Sequence, residues 1–409
     1  MAAHNAKTWK DDLRTGRPLW LDTPRTSVMV KADPGRQAYD VIVVGAGISG
    51  ALVAEALTRA GKSVLVVDRR GPVSGSTPAS TAMIQHELDV PLTKLRTLRG
   101  GEVADAAWRR SAKAVGALTA LTQALEIKCE LSVKPALYLA GNEMNADELA
   151  REAAARQAIG IRADLLDAER LRDDYGIDRE AAILSNASAS ANPAQLAAGL
   201  LRKAKTRGAT IAAPIEITDM AERDGSIALA TSEGRVFVAE HAVFATGYEF
   251  LPQMQSPLHR VTSTWAIATA AMPHMPKWMH ETIVWEASDP YLYFRAAASG
   301  RLIAGGEDEE TSEKNTNNKV LRRKAAAIRR KLQELTGVRI GKVEYRWAAP
   351  FSVTKDGLPI IDRVPGFERV FSVMGFGGNG ITFSMIAAEI VAGAIAGKAD
   401  PDAHCFAMR

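Results

Sequence analysis

Asp40–Asp68, DVIVVGAGISGALVAEALTRAGKSVLVVD, decides the fold of this chain. Val41 to Val44 is a short apolar run rich in β-branched residues, the pattern of a strand covered on both faces. Gly45, Gly47 and Gly50 follow at the spacing G-x-G-x-x-G. The first allows a sharp turn, the second leaves room for a pyrophosphate against the backbone, and the third lets the next helix pack closely on the strand. A helix is expected from about Ile48 to Arg59, with its unpaired amides and positive dipole end aimed at the phosphates. Gly61 stops it. Val64 to Val67 reads as a second strand and Asp68 ends it, eighteen residues after Gly50. An acid there accepts both hydroxyls of an adenosine ribose and repels a 2′-phosphate. A glycine-rich loop alone would carry little weight, but strand, helix and acid agree with it on a dinucleotide site.

At 409 residues the chain exceeds one typical core, so two domains or one large interleaved α/β body is expected. The net charge is only +4, and basic residues alternate with acidic ones, which argues against a nucleic-acid partner. Cys129 and Cys405 are the only cysteines. They form neither a disulfide framework nor a metal set, and a reducing, cytoplasmic compartment is the natural reading. No apolar run approaches about 20 residues, so no transmembrane helix is expected. The N-terminus lacks the apolar centre of a secretory signal.

Residues 1–39 form a polar extension with Pro18, Pro24 and Pro34, in which Trp9, Leu19 and Trp20 are candidate anchors. After Asp68, the run Gly75-Ser76-Thr77-Pro78-Ala79-Ser80-Thr81-Ala82 is small and polar. Such a loop lets backbone approach a ligand and offers it hydroxyls and amides, although an ordinary helix-capping loop has the same composition. Residues 101–126 and 146–174 carry helical periodicity on either side of a strand, Ser132 to Leu139. Residues 194–207 make another amphipathic helix. From 209 to 247, alternation around Asp224-Gly225 and Glu233-Gly234 predicts a β-meander ending at Ala245-Thr246-Gly247. Residues 259–310 are strand-rich, 318–335 read as a basic surface helix, and Lys342 to Trp347 as a strand. A second glycine turn, Gly375-Phe376-Gly377-Gly378-Asn379-Gly380, opens a small-residue helix from Ile381 to Gly397. The three candidate contact segments are far apart in the chain. A cofactor domain assembled from separated segments, with an antiparallel sheet inserted, accounts for that order. A nicotinamide-dependent dehydrogenase is the alternative, but it usually keeps its nucleotide domain contiguous and leaves the terminal glycine turn unexplained.

In this order the motifs are specific, and over residues 38–398 the chain resembles the D-amino-acid oxidase type of FAD-dependent oxidoreductases, the group that includes glycine oxidase and sarcosine oxidase. The resemblance rests on Gly45, Gly47, Gly50 and Asp68, the loop GSTPAST, the Ala245-Thr246-Gly247 turn, the strands YLYFR and RLIAGGEDE, Asp356-Gly357-Leu358-Pro359 and the terminal GFGGNGIT. It implies a Rossmann-like FAD-binding domain (α/β) with an inserted mixed or antiparallel substrate sheet (α+β). The expected division is an extension over 1–39, a cofactor domain over 40–95, 175–255 and 345–409, and a substrate domain over 96–174 and 256–344. By resemblance Gly45, Gly47, Ile48, Ser49 and Gly50 face the pyrophosphate of non-covalently held FAD, Asp68 the ribose, and Arg69 the adenine. Ser76, Thr77, Ser80 and Thr81 approach the pyrophosphate and flavin. Ile217 presents backbone to the adenine, and Ala245, Thr246 and Gly247 line the nucleotide side. Gly377, Gly378, Asn379, Gly380, Ile381 and Thr382 lie near the pyrimidine edge of the flavin.

The resemblance also implies a reaction: a hydride leaves the carbon next to the nitrogen of an amine or amino acid, and the resulting imine hydrolyses. Oxygen or another electron acceptor completes the cycle, and a homo-oligomer is compatible with the family. At three places the chain departs from well-known members. Phe351 stands where glycine oxidase has an arginine for the substrate carboxylate, and Ile303 where sarcosine oxidases have a lysine that promotes reaction with oxygen. The segment 350–353 has no cysteine for covalent flavin attachment. These departures keep a non-catalytic FAD-binding subunit as an alternative. For the substrate pocket, Tyr291, Tyr293 and Arg295 share one strand face, with Tyr293 and Arg295 the leading candidates; an amphipathic sheet surface explains the same pattern. His86 reads as a packing histidine. Glu307 to Glu310 is either a solvated turn or a selector for cationic amines.

Overall fold

A computed structural model describes residues 14–35, 38–249, 251, 254, 259–310 and 317–409; Trp9 falls outside them. In chain order the elements are β1 (Thr15–Gly16), β2 (Ala38–Val44), α1 (Ile48–Arg59), β3 (Val64–Val67), β4 (Met83–Ile84), α2 (Leu92–Arg99), α3 (Gly101–Ala124), β5 (Ser132–Leu139) and α4 (Ala146–Ala158). Then come β6 (Asp164–Asp167), α5 (Ala168–Tyr175), β7 (Ala181–Ser190), α6 (Pro193–Thr206), β8 (Thr210–Ala212), β9 (Ile217–Arg223), β10 (Ser226–Thr231), β11 (Val236–Phe244) and β12 (His259–Ala271). The rest is α7 (Lys277–Glu281), β13 (Ile283–Glu286), β14 (Leu292–Ala296), β15 (Arg301–Glu309), α8 (Asn318–Thr336), β16 (Val343–Thr354), β17 (Ile360–Arg363), β18 (Val370–Met374) and α9 (Gly380–Ile395).

The fingerprint seeds the smaller of two sheets, ordered β17-β18-β11-β2-β3-β8, with β10 and β9 added beside β11. From β18 to β8 the strands run parallel. Continuous apolar runs follow from two covered faces. Val41, Val43, Val64 and Val66 pack with residues of α1, α6 and α9. Ile42, Val44, Leu65 and Val67 pack on the other side with Met220, Ile227 and Phe237. The larger sheet runs β1-β16-β12-β15-β14-β13-β5-β7-β4, with β6 beside β7. Its pairs are antiparallel except β13 with β5. Leu302 and Ala304 of β15 pack with Leu321, Ile328 and Leu332 of α8, so the basic helix covers one face of this sheet.

Three sequence expectations are refined. Residues 146–174 are two helices around a strand. Asn145 opens α4 with a capping box, Gly160 takes a left-handed turn after it, and the Asp167 carboxylate caps α5 by accepting the Arg170 amide. The pairing of strands also crosses the expected division: β7 and most of β16 come from stretches assigned to the cofactor domain yet pair in the larger sheet. Finally, Gly377–Ile395 is long and apolar enough to cross a membrane by length and composition. Most of it is buried in the fold, where its small residues let it pack against α1 and α3.

Candidate functional site

A cavity of about 900 Å³ opens where the parallel strands end. Gly45 follows β2, Asp68 follows β3, Ala245 to Gly247 follow β11 and Phe376 to Ile381 follow β18, and all of these line it. Ligands of open α/β sheets bind at such carboxyl ends. Gly45 has φ +111, and a Cβ there would strike the Ala245 carbonyl. At Gly50 a Cβ would strike the carbonyl of Gly45, so this glycine closes the turn and is not in the cavity wall. The cradle is rich in unsatisfied donors. Among the described residues the amides of Gly75, Ser76 and Thr77 have no acceptor, and the buried Thr246 hydroxyl has no partner. A glycine cradle with idle amides beside a helix N-terminus fits a pyrophosphate.

Most residues expected at the cofactor converge on this cavity. Gly47, Ile48, Ser49, Asp68, Arg69, Ser76, Thr77, Ser80, Thr81, Ile217, Ala245, Thr246, Gly247 and Gly377 to Ile381 line it. Details differ. The Asp68 carboxylate already accepts the amides of Ala46 (2.8 Å), Arg70 (2.8 Å) and Gly71 (2.9 Å). A carboxylate has about four acceptor sites, so one strong bond to a ribose remains. Arg69 is ion-paired with Glu249 and Glu216. Thr382 is not in the wall; its hydroxyl donates to the Gln85 carbonyl at 2.8 Å. The Gly378 amide donates to Asp89 at 2.6 Å, which brings a carboxylate onto the terminal glycine turn.

At the substrate-sheet end, Tyr248, Tyr291, Tyr293, Thr264, Asp89, Asp308 and Phe351 line the cavity. Arg295 does not, which corrects its assignment to the pocket. It is 2% exposed, donates to the carbonyls of Thr81 (2.8 Å) and Ala191 (2.7 Å), and lies over Trp20. Burial pushes its pKa down to about 9. It shares a face with Tyr293, but that face continues past the cavity rim into packed backbone. His86 is fully buried, with Nδ1 on the Ala187 carbonyl at 3.0 Å and its ring edge-on to Trp108; burial lowers its pKa. Ile303 is buried in β15 away from the wall.

The acidic run separates by side. Glu307 pairs with Lys324 and Lys331, Glu309 with Lys324, and Glu310 with Arg260. Asp308 alone turns to the cavity, where the Tyr291 hydroxyl donates to Oδ2 at 2.7 Å and the Thr264 hydroxyl also bonds the carboxylate. A β-bulge causes this. Ser263 opposes Glu309 and Trp265 opposes Gly306, so two residues on β15 face Thr264 alone. Glu307 adopts φ 61 to permit it. Burial pushes the Asp308 pKa up to about 6, and Asp89, itself raised by burial, adds like-charge repulsion. Gly305 completes the arrangement, because a Cβ there would collide with the Tyr293 phenol. Sequence reasoning missed Asp89 and Tyr248; nothing local distinguishes them from surface residues.

A Rossmann-type sheet with a discontinuous glycine cradle and a roof of antiparallel strands defines a flavin-dinucleotide oxidoreductase. The DAO model, FAD-dependent oxidoreductase, matches residues 40–394, and the chain belongs to that family. It is 24% identical over 391 residues to a glycine oxidase of Bacillus licheniformis, covering 89% of this chain and 94% of the relative. Among solved structures, glycine oxidase from Geobacillus kaustophilus superposes with a TM-score of 0.77 at 20% identity, covering 91% of this chain and 99% of that one. L-proline dehydrogenase from P. horikoshii gives 0.77 at 18% identity, covering 91% and 97%. FAD is therefore the cofactor and the protein is an FAD-dependent oxidoreductase, which sets aside the nicotinamide alternative.

Proposed function

We propose that the chain oxidises the carbon next to the nitrogen of an amine or amino acid, giving an imine that hydrolyses, and that it favours cationic amines over amino-acid carboxylates. The bound flavin supplies the hydride acceptor. One observation carries the reading: among the described residues between 244 and 381, the cavity wall holds Asp308 and three tyrosines but no lysine or arginine. The cations elsewhere on the wall are otherwise placed. Arg69 and Arg70 pair with Glu249, and Lys94 and Arg151 are exposed at the surface. An ammonium entering this end meets the Asp308 carboxylate in the wall. A carboxyl titrating near 6 is ionised at neutral pH, so it binds the cation and can take its proton, leaving the nitrogen lone pair free. Tyr291 fixes the carboxylate through Oδ2, and the tyrosine rings keep water away. In this reading the cofactor-facing roles fall to the wall residues named above. Phe351, in the wall, offers no clamp for a carboxylate.

The test is anaerobic bleaching of the flavin absorbance by a panel of diamines, monoamines and amino acids. Bleaching fastest with cationic amines is expected. Preference for simple amino-acid carboxylates removes the charge argument, and no bleaching by any amine or amino acid favours a non-catalytic subunit. Parallel measurement of oxygen uptake and dye reduction distinguishes oxidase from dehydrogenase.

A further inference from the structure

The N-terminal segment lies outside residues 40–394, the part matched by the family, yet it reaches the cofactor cradle. The Arg14 guanidinium donates to the carbonyls of Ser74 (2.8 Å) and Gly75 (2.9 Å). The Trp20 indole donates to the carbonyl of Ser80 at 2.7 Å. From inside the fold, Trp347 Nε1 donates to Ala79 and Arg295 Nε to Thr81, both at 2.8 Å. Five carbonyls of the loop 74–81 are thus held by side chains that do not line the cavity, while Ser76, Thr77, Ser80 and Thr81 do line it. The amides left without acceptors belong to the same loop.

The segment is itself anchored at both ends. Thr15 and Gly16 pair with Ala348 and Trp347 at the edge of the larger sheet. Further on, the Thr23 hydroxyl accepts from the Asn192 side chain and the Pro24 carbonyl from Gln195, both at the start of α6. Lys31 then bridges to Ala212 at the edge of the smaller sheet. Trp20 is 1% exposed and sits beneath the Arg295 guanidinium. Such anchoring makes the segment a rigid backing for the loop.

We propose that residues 14–22 are a built part of the FAD site, in which Arg14 and Trp20 are positioning residues that hold loop 74–81 with its amides and hydroxyls turned to the dinucleotide. The proposal rests on the FAD assignment. Carbonyls turned outward by these donors cannot turn inward, where they would repel a pyrophosphate. Each bond lost lets the loop sample closed shapes, so FAD binds with lower affinity.

The experiment is titration of the full-length apoprotein with FAD, followed by flavin fluorescence, for wild type, Arg14→Met, Arg14→Lys and Trp20→Phe. Melting of each apoprotein is measured beside it. Arg14→Met is expected to weaken FAD binding about tenfold, with Arg14→Lys recovering most of it and apoprotein melting unmoved. Trp20→Phe keeps the ring packing but loses the donor, and a similar loss is expected. Wild-type affinity in both Arg14→Met and Trp20→Phe overturns the proposal, as does a lowered melting point with affinity intact, which marks a purely structural role. A wild-type chain that binds no FAD overturns the cofactor assignment and this proposal with it.

Discussion

Asp308 reaches the cavity because one residue in β15 is extra. Without the bulge, strict alternation from Gly305 would turn Glu307 toward Tyr293 and send Asp308 to α8. The bulge instead leaves Glu307 between Lys324 and Lys331 and gives the cavity a carboxyl with a raised pKa. If that carboxylate receives the substrate proton, kcat/KM for a cationic amine falls as pH drops below about 6. Asp308→Asn should remove this limb and lower kcat/KM about a hundredfold, as read from a pH–rate profile; an unchanged limb takes Asp308 out of the reaction. The sign for stability is opposite. Its folded pKa of about 6 lies above the ordinary aspartate value of 3.8, so burying the ionised form costs stability at neutral pH, and the cost fades as pH falls through 6. Asp308→Asn should therefore raise the melting temperature of the apoprotein while it impairs turnover. Gly305 belongs to the same device. Gly305→Ala should push the Tyr293 ring out of place and lower kcat/KM with little loss of FAD affinity, measured by steady-state kinetics beside flavin titration.

At the scale of elements, the turn between β16 and β17 is tied to the end of the chain. Asp356 accepts from Arg99 and from Arg409, which also reaches the Leu358 carbonyl at 2.8 Å. Burial alone would raise the Asp356 pKa, but the two guanidiniums and the Leu358 amide outweigh it and bring it to about 2. Its folded pKa is below the ordinary aspartate value of 3.8, so its contribution to stability is present above about 4 and lost as pH falls toward 2. Asp356→Asn should cost about 2 kcal/mol at pH 7, and its stability should vary less than wild type between pH 4 and 2, as measured by urea unfolding. The turn matters to the site because Gly357 packs against Val90, next to Asp89. The N-terminal segment works similarly at the opposite side, adding β1 to the edge of one sheet and Lys31 to the edge of the other. An exposed sheet edge invites pairing with another chain, and covering it removes that hazard.

For the molecule as a whole, the wall of the proposed cofactor cavity draws on four separated segments, the loops after β2, β3, β11 and β18, the second of which includes residues 74–81 with the N-terminal segment behind them. Binding to a site assembled from so much of the chain should couple to global stability. At a hundredfold excess over its Kd, FAD stabilises the fold by about 2.7 kcal/mol, so apoprotein melting should rise with added FAD. Gly47→Val should abolish both the rise and flavin binding, since Gly47 has open cavity beyond Thr77, 3.0 Å from a built Cβ. A variant that keeps wild-type affinity contradicts the cradle.

Much of this was legible from residue order. The β2–α1–β3 fingerprint is local: glycines at fixed spacing and two β-branched runs need only their neighbours to form a turn, a helix and two buried strands. The loop 75–82 and the turn 375–380 were legible for the same reason, being small-residue runs next to strand or helix signals, and their order along the chain pointed to the family. What chain order could not convey is which side a residue faces after long-range pairing. Arg295 looked like a pocket residue from its spacing with Tyr293, and its guanidinium is spent on two backbone carbonyls. Asp308 looked like one acid among four, and a bulge opposite Thr264, fixed by pairing with a strand some forty residues away, made it the one that enters the cavity. Asp89 joined it only when the terminal glycine turn, 289 residues further on, presented the Gly378 amide. Local propensity and patterning thus determined the cofactor half of this protein. The substrate half was decided by strand register and burial, which are properties of the folded chain and not of any stretch of it.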